Sequence, residues 1–272
     1  MSPADRLADL DTFLIELNRV SADAILPLFR SDHGLENKHA LAGKAGFDPV
    51  TAADKGAEAA IRKLIAERYP EHGVIGEEYG RDREDAEWVW VLDPVDGTRA
   101  FIAGLPLWTT LIGLRHQGKP VLGSIGQPYL GEIFIGQAAG SRVIRCGATT
   151  PLKVRPCPRL TDAIIATTDP ESNFDGAELG AWTQVRAAAK LARLGCDAYA
   201  YAMVAQGTMD MVIEAGLQCW DIDAAIPLIE GAGGLVTDWR GQPVGSEGGQ
   251  IAIAGDRACL DEALVALKRS AK

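Results

Sequence analysis

Long apolar runs are missing from this 272-residue sequence, and none approaches the roughly 20 residues needed to cross a bilayer. The first ten residues include Asp5 and Asp9 and no apolar core, which argues against a secretory signal. Cysteine is scarce: the five cysteines are an odd number and form no Cys-x-x-Cys pair, which argues against a disulfide framework or a zinc site. The sequence therefore predicts a cytoplasmic protein with reduced thiols and no membrane partner.

Other absences limit the chemistry that the chain could carry. The four histidines show no metal-ligand spacing, and no Ser/His/Asp or Cys/His nucleophile motif is visible. Basic residues are outnumbered, with 27 Lys and Arg against 37 Asp and Glu and a net charge of −10. Such a chain lacks the basic footprint of a nucleic-acid binder, and it would not steer an anionic substrate from a distance. A bound cation must then supply the positive charge that an anion needs.

The apolar residues that are present predict a large core. They make up 47% of the chain, enough for one or two closely packed domains. Helical spacing predicts an amphipathic helix over 5–30 and a second helix over 51–68, with a polar loop over 33–47 between them. Short strands that could pair antiparallel follow, and strands and helices then alternate. We therefore predict an α+β domain over 1–150 and an α/β domain over 151–272.

The most informative segment is the β-prone run WVWVLDPVDGT over 88–98. A strand there ends in Asp93 and Asp96, and the proline between them stiffens the turn and holds both carboxylates near one point. Because neighbouring carboxylates repel, a hard divalent cation such as Mg²⁺ is expected between them. Gly97 and Thr98 then begin a helix whose free N–H groups suit a phosphate. A capped turn with solvated acids is the alternative interpretation.

Two further groups of acids stand where one element gives way to the next. Glu77 and Glu78 follow a short apolar run, and Asp221 and Asp223 precede another. Such ends converge in α/β proteins to build binding sites, so we expect these acids to lie near Asp93. An acidic helix cap at Asp221 is the alternative.

Together these motifs resemble the signatures of the inositol monophosphatase family of Mg²⁺-dependent phosphatases. The resemblance covers residues 48–255 and rests on Thr51-Ala52-Ala53-Asp54, Gly76-Glu77-Glu78, Asp93-Pro94-Val95-Asp96-Gly97-Thr98 and Trp220-Asp221. It implies a mixed α+β and α/β fold, the layered αβαβα sandwich of the sugar phosphatases in this family. It also implies a homodimer.

The resemblance implies a role for each matching residue. Metal binding falls to the carboxylates of Glu77, Asp93, Asp96 and Asp221 and to the backbone carbonyl of Val95. Water orientation or activation falls to Asp54 and Thr98, with Glu77, and Thr51 supports Asp54. Glu78 either supports Glu77 or binds a further ion. With two or three Mg²⁺ ions, for which Mn²⁺ may substitute, and no covalent nucleophile in view, direct attack of water on phosphorus is favoured. Gly97 and Thr98 would hold the phosphate.

Substrate choice rests on more local similarities. The stretches over 96–106 and 195–201, the second with Asp197, resemble the histidinol-phosphatase branch, whereas Gln218-Cys219-Trp220-Asp221 is closer to inositol phosphatases. Asp197 and Glu214 suit a cationic alcohol, because a carboxylate strengthens hydrogen bonds to an ammonium group. Asp197 could instead cap the next helix, and Glu214 also matches a hydroxyl-binding residue of inositol phosphatases. The sequence thus predicts a histidinol-phosphatase of histidine biosynthesis. An inositol-1-monophosphatase, a broad small-molecule phosphatase and a catalytically dead regulator are the alternatives.

Overall fold

Two helices form the first layer of the molecule. The computed structural model describes residues 3–31, 36–37 and 49–272. Helix α1 spans Pro3–Ile25 and α2 spans Ala52–Arg68. They pack together and bury the leucines that predicted the first helix, among them Leu10, Leu14 and Leu17. The first helix ends five residues before the end of the predicted 5–30, because residues 26–30 form turns.

The loop predicted over 33–47 lies outside the described residues, apart from Glu36–Asn37. That pair forms a short strand, β1, which pairs with β2 at Pro49–Val50.

An eight-stranded sheet lies against these helices. Its strands, in chain order, are β3 Gly73–Gly76, β4 Gly80–Asp82, β5 Trp88–Asp96, β6 Thr109–His116, β7 Lys119–Gln127, β8 Glu132–Gln137, β9 Gly140–Arg145 and β10 Ala148–Pro151. Their order across the sheet is β10-β9-β8-β7-β6-β5-β3-β4, and only the pairing of β3 with β5 is parallel. A short helix, α3, spans Thr98–Ile102 after β5.

A second, five-stranded sheet is built from the rest of the chain. Its strands are β11 Ile164–Thr167, β12 Leu191–Leu194, β13 Met211–Gln218, β14 Leu235–Thr237 and β15 Gly248–Ala254. Strand β11 runs parallel to both of its neighbours, β12 and β13, whereas β15 pairs antiparallel with β13 and β14. The chain passes from the first sheet to the second between Pro151 and Ile164, and the division into domains at residues 150 and 151 stays a prediction.

The remaining helices complete the layers. They are α4 Pro170–Asn173, α5 Gly176–Ala188, α6 Tyr199–Ala205, α7 Cys219–Ile222, α8 Ala225–Gly231 and α9 Arg257–Leu267, with 3₁₀ turns at Leu160–Asp162 and Lys268–Ser270. Helices α6 and α8 fill one core between the two sheets, and α5 and α9 close the outer face of the second sheet. The predicted αβαβα layering is therefore confirmed.

A row of glycines on neighbouring strands lets a later segment of the chain pack closely against the first sheet. Gly113, Gly123 and Gly136 are direct partners on β6, β7 and β8. A Cβ atom at Gly123 would lie 2.2 Å from the carbonyl oxygen of Ala224, and one at Gly136 would lie 2.1 Å from the Cα atom of Leu228. Glycine is required here because the backbone over 223–228 lies directly on the sheet. This close contact fixes the position of α7, which carries Asp221.

Candidate active site

A bulge in β5 presents the first two carboxylates. Asp93 pairs with Leu111 and Asp96 with Thr109, so Pro94 and Val95 oppose the single residue Thr110 on β6. Bulges accept proline because a ladder N–H is not needed there. The strand therefore continues to Asp96, and the prediction of a turn between Asp93 and Asp96 is wrong. The bulge directs the Asp93 and Asp96 side chains to one edge of the sheet.

A third carboxylate, that of Asp221, reaches the same point from α7, the short helix that follows β13. Ligand oxygens of Asp93, Asp96 and Asp221 all lie within 4.8 Å of one another. Asp221 also accepts a hydrogen bond from the backbone N–H of Gln218 at 2.6 Å, so it caps α7 as well as joining the cluster. The two interpretations of Asp221 are thus compatible.

These carboxylates line a cavity of about 320 Å³ where the two sheets' elements meet. Its acidic lining residues are Glu77, Asp93, Asp96, Asp197, Glu214 and Asp221. Val95, Gly97 and Thr98 line it as well, so most of the predicted site residues share one cavity. Among the described residues that line it, Arg99 is the only basic one, and it pairs with Asp169 at 2.9 Å. The cavity is therefore strongly acidic.

The electrostatics of this cluster favour a bound cation. Burial and then the nearby charge of Glu77 raise the pKa of Asp93 well above its usual value. Burial and then Asp197 do the same to the pKa of Asp96. Asp93 is only 3% exposed, so the interpretation of solvated acids at a turn is wrong. Repelling, desolvated carboxylates regain their charged form when a cation lies between them.

The donor set decides which cation fits. The carboxylates and the carbonyl of Val95 are hard oxygen ligands, and no described histidine or cysteine lines the cavity. Oxygen donors of this kind suit Mg²⁺ or Mn²⁺ rather than zinc. The residues therefore fit the predicted metal.

A separate relay of polar groups lies behind the cavity wall. Asp54 is 1% exposed, and one of its oxygens accepts hydrogen bonds from both the backbone N–H and the hydroxyl of Thr51, at 2.8 and 2.5 Å. Its other oxygen faces the Thr98 hydroxyl at 3.5 Å, and that hydroxyl also donates to the Val95 carbonyl at 3.1 Å. Thr51 and Asp54 do not line the cavity. Asp54 therefore faces the cavity-lining residue Thr98 without lining the cavity itself.

Asp197 lines the same cavity beside the carboxylate cluster, in an uncommon backbone conformation. Its φ angle of 45° is left-handed, which is rare for a residue with a side chain. This conformation lets the next N–H, that of Ala198, donate to Asp96 at 2.7 Å, and it brings the Asp197 carboxyl against Gly97. The cap position of α6 is Ala198, so Asp197 is not that helix's side-chain cap. Burial raises the pKa of Asp197 to about 6.

Glu214 is held by groups that the sequence analysis did not identify. It is 1% exposed and accepts hydrogen bonds from the hydroxyl of Thr167 and from the N–H and hydroxyl of Thr168. Burial outweighs these contacts and raises its pKa to about 8. Thr168 lies 46 residues away in sequence, so only the parallel pairing of β11 with β13 reveals the contact.

Two of the acids expected near Asp93 do not line the cavity. Asp223 instead forms a buried ion pair with Arg115. The backbone N–H of Glu78 donates to the buried carboxylate of Glu58 at 2.8 Å.

Comparison with known proteins places this fold and cavity in a class of phosphatases. An inositol monophosphatase from Zymomonas mobilis superposes with a TM-score of 0.84 at 36% identity, covering 98% of this chain and 100% of that one. The inositol monophosphatase family model matches residues 6–271, and the chain belongs to this family. Its membership makes it a phosphatase of small phosphorylated substrates, that is, a phosphoric monoester hydrolase.

Two curated relatives are also similar over most of the chain. The chloroplastic bifunctional phosphatase IMPL2 of Arabidopsis thaliana is 41% identical over 92% of this chain and 69% of its own length. A histidinol-phosphatase of Chlorobaculum parvum is 34% identical over 71% of this chain and 74% of its own length. In the part of the chain that the structure describes, no helix is long and apolar enough to cross a membrane.

Proposed function

We propose that this protein is a Mg²⁺-dependent histidinol-phosphatase, which hydrolyses L-histidinol phosphate to L-histidinol and phosphate in histidine biosynthesis. The observation that carries the proposal is one cavity in which two further acids stand beside a carboxylate cluster. Asp93, Asp96 and Asp221 form the cluster, and Asp197 and Glu214 line the same cavity. The similarity to a histidinol-phosphatase supports this substrate.

The carboxylate cluster would hold the metal. Its proposed ligands are the carboxylates of Glu77, Asp93, Asp96 and Asp221 and the carbonyl of Val95. When bound, two or three Mg²⁺ ions, or Mn²⁺ in their place, supply positive charge for the phosphate and lower the pKa of water.

The chain's own groups would place the water and the phosphate. The Thr98 hydroxyl lies between the Val95 carbonyl and Asp54. When its one hydrogen is donated to Asp54, its oxygen would accept a hydrogen bond from a water molecule in the cavity and orient it. Burial raises the pKa of Asp54, which makes its carboxylate a better proton acceptor. Glu77 would support the same water from the cluster side. Backbone N–H groups at Gly97 and Thr98 would hold the phosphate.

Asp197 and Glu214 would select the alcohol. L-Histidinol carries an ammonium group, and Asp197 would form a charge-assisted hydrogen bond with it. A neutral polyol would leave the Asp197 carboxylate desolvated without a cation. An unpaired buried polar group costs about 1–3 kcal/mol, and more when charged, which corresponds to a selectivity of tenfold to over a hundredfold.

Inositol 1-phosphate hydrolysis is the second candidate. Glu214 could accept a hydrogen bond from a substrate hydroxyl, and the Zymomonas mobilis inositol monophosphatase is 36% identical. A broad small-molecule phosphatase would show little preference at Asp197 and Glu214 for one alcohol over another. A catalytically dead regulator is disfavoured because every acid of the cluster is intact.

The test compares two substrates in three proteins. For wild type, kcat/KM should favour histidinol phosphate over inositol 1-phosphate at least tenfold, and Asp197→Asn should remove most of that preference. Asp162→Asn removes an exposed carboxylate outside the cavity and should leave the ratio unchanged. A wild-type preference for inositol 1-phosphate, or a ratio that Asp197→Asn does not move, contradicts the histidinol assignment.

A cytoplasmic location and a homodimer complete the proposal, and both rest on the sequence analysis.

A further inference from the structure

Glu58 is a buried acid that the sequence analysis did not identify. It lies on α2 one helical turn after Asp54, and its side chain has no exposed surface. Its carboxylate accepts a hydrogen bond from Nε of Arg62 at 2.7 Å, a partner four residues further along the helix. A fully buried carboxylate must be paired and hydrogen-bonded to remain in a folded protein. Its other partners therefore show what it holds.

Those partners are the backbone of the turn that carries Glu77. One Glu58 oxygen accepts the N–H of Glu78 at 2.8 Å, and the other accepts the N–H of Tyr79 at 3.2 Å. Arg62 donates to the carbonyl of Gly80 at the far end of the same turn. The ion pair thus binds residues 78–80 on the side away from the cavity.

The start of the turn is fitted just as closely. A Cβ atom at Gly76 would lie 2.0 Å from Glu58 Oε1, so only glycine permits this approach. On the opposite side, the backbone N–H of Glu77 donates to the carbonyl of Leu92 on β5 at 3.2 Å. Glu77 therefore stands between two anchors, one on α2 and one on the strand that carries Asp93.

We propose that Glu58 is a positioning residue for the metal site: fixed by Arg62, it holds the 77–80 turn so that the Glu77 carboxylate stays in the acidic cavity. This inference rests on the proposed role of Glu77 as a ligand. The cavity's carboxylates repel one another, and a turn without an anchor would let Glu77 withdraw. Outer partners of this kind typically change metal affinity by 10- to 100-fold when they are replaced.

The test measures Mn²⁺ binding directly, by the electron paramagnetic resonance signal of free Mn²⁺ and by the rise in Tm on adding Mn²⁺. In Glu58→Gln, one amide oxygen cannot replace two carboxylate oxygens, because the NH₂ group must face either a backbone N–H or Arg62. We expect Mn²⁺ to bind about 10- to 100-fold more weakly, with kcat largely restored at saturating metal. Arg62→Lys keeps the charge but cannot contact both Glu58 and the Gly80 carbonyl, so it should weaken Mn²⁺ binding severalfold.

Glu178→Gln is the matched control. Glu178 is also a buried helical glutamate; it accepts a backbone N–H, from Asp175 at 2.8 Å, and pairs with Lys272, but it does not line the cavity. It should lose stability without losing Mn²⁺ affinity. Equal affinity in wild type, Glu58→Gln and Arg62→Lys overturns the inference alone, and so does equal loss in Glu178→Gln. If Glu58→Gln does not fold, Arg62→Lys decides. A wild type that binds no Mn²⁺ overturns both the inference and the proposed function.

Discussion

Asp54→Asn should separate catalysis from folding, because the two oxygens of Asp54 have different partners. One oxygen closes the capping box at the start of α2 by accepting two hydrogen bonds from Thr51. The other faces the Thr98 hydroxyl. Asparagine retains one carbonyl oxygen, which can accept both bonds from Thr51, and its NH₂ group then replaces the oxygen that faces Thr98. The substitution therefore removes the acceptor at the cavity and keeps the cap.

The expected magnitudes follow from that division. Loss of a helix cap costs about 0.5–2 kcal/mol, so a retained cap should limit the stability change to less than about 1 kcal/mol, or less than about 4 °C in Tm. Loss of a positioned proton acceptor should lower kcat by a factor on the order of 10²–10⁴. Asp54→Ala removes the cap as well and should lower both stability and kcat.

Phosphate release and thermal unfolding on the same preparations provide the assay. Glu178→Gln is again the control, since Glu178 occupies the same position in the capping box of α5 and lies outside the cavity. It also loses the ion pair with Lys272, so it should lose stability, and it should keep its kcat. A normal kcat in Asp54→Asn together with a large fall in Tm would show that Asp54 is a structural residue and not a proton acceptor in catalysis.

Two further predictions concern stability. His72 is fully buried, accepts a hydrogen bond from the Trp90 indole at 3.1 Å, and has its pKa lowered by burial from 6.5 to about 4. Between these values the unfolded chain binds a proton that the folded chain does not, so unfolding free energy should fall by up to about 3 kcal/mol as pH drops from 6.5 to 4. His72→Gln should flatten this part of the denaturant-midpoint profile, and an unchanged slope would contradict the assignment. Gly123→Ala should cost about 1–3 kcal/mol in chemical denaturation and weaken metal binding, because the methyl group meets Ala224. Gly180→Ala, with open space around it, should not lower the unfolding free energy. Equal effects of both variants would show that the close contact of Gly123 with Ala224 does not matter.

The parts of the site that depend on neighbours in sequence could be predicted. Asp93 and Asp96 stand on one strand, so the spacing of an apolar run and two acids was enough to expect them together. The prediction of a turn between them is wrong because of contacts with another strand. Strand β6 continues to pair beyond Asp93, and the Thr110 hydroxyl binds the carbonyl of Pro94, so the chain bulges and does not turn.

The packing between the sheets could not be predicted, although the sequence correctly predicted that Asp221 lies near Asp93. Asp221 reaches the cluster because a row of glycines lets residues 223–228 lie on the first sheet, and no local pattern encodes that contact. A buried ion pair between Arg115 and Asp223 fixes the same segment, across 108 residues of sequence. Glu58 did leave a signal. It is an acid one turn after Asp54 on the inward face of an amphipathic helix, where an apolar residue would be expected.

Phosphate release from histidinol phosphate decides whether this acidic cavity hydrolyses phosphate monoesters with a divalent cation. It is followed with Mg²⁺, with excess chelator, and in Asp93→Asn with Mg²⁺. We expect turnover with Mg²⁺, its loss on chelation with recovery when Mg²⁺ is restored, and little turnover in folded Asp93→Asn. Undiminished hydrolysis in the chelated wild type or in Asp93→Asn would contradict metal-dependent hydrolysis at this cavity.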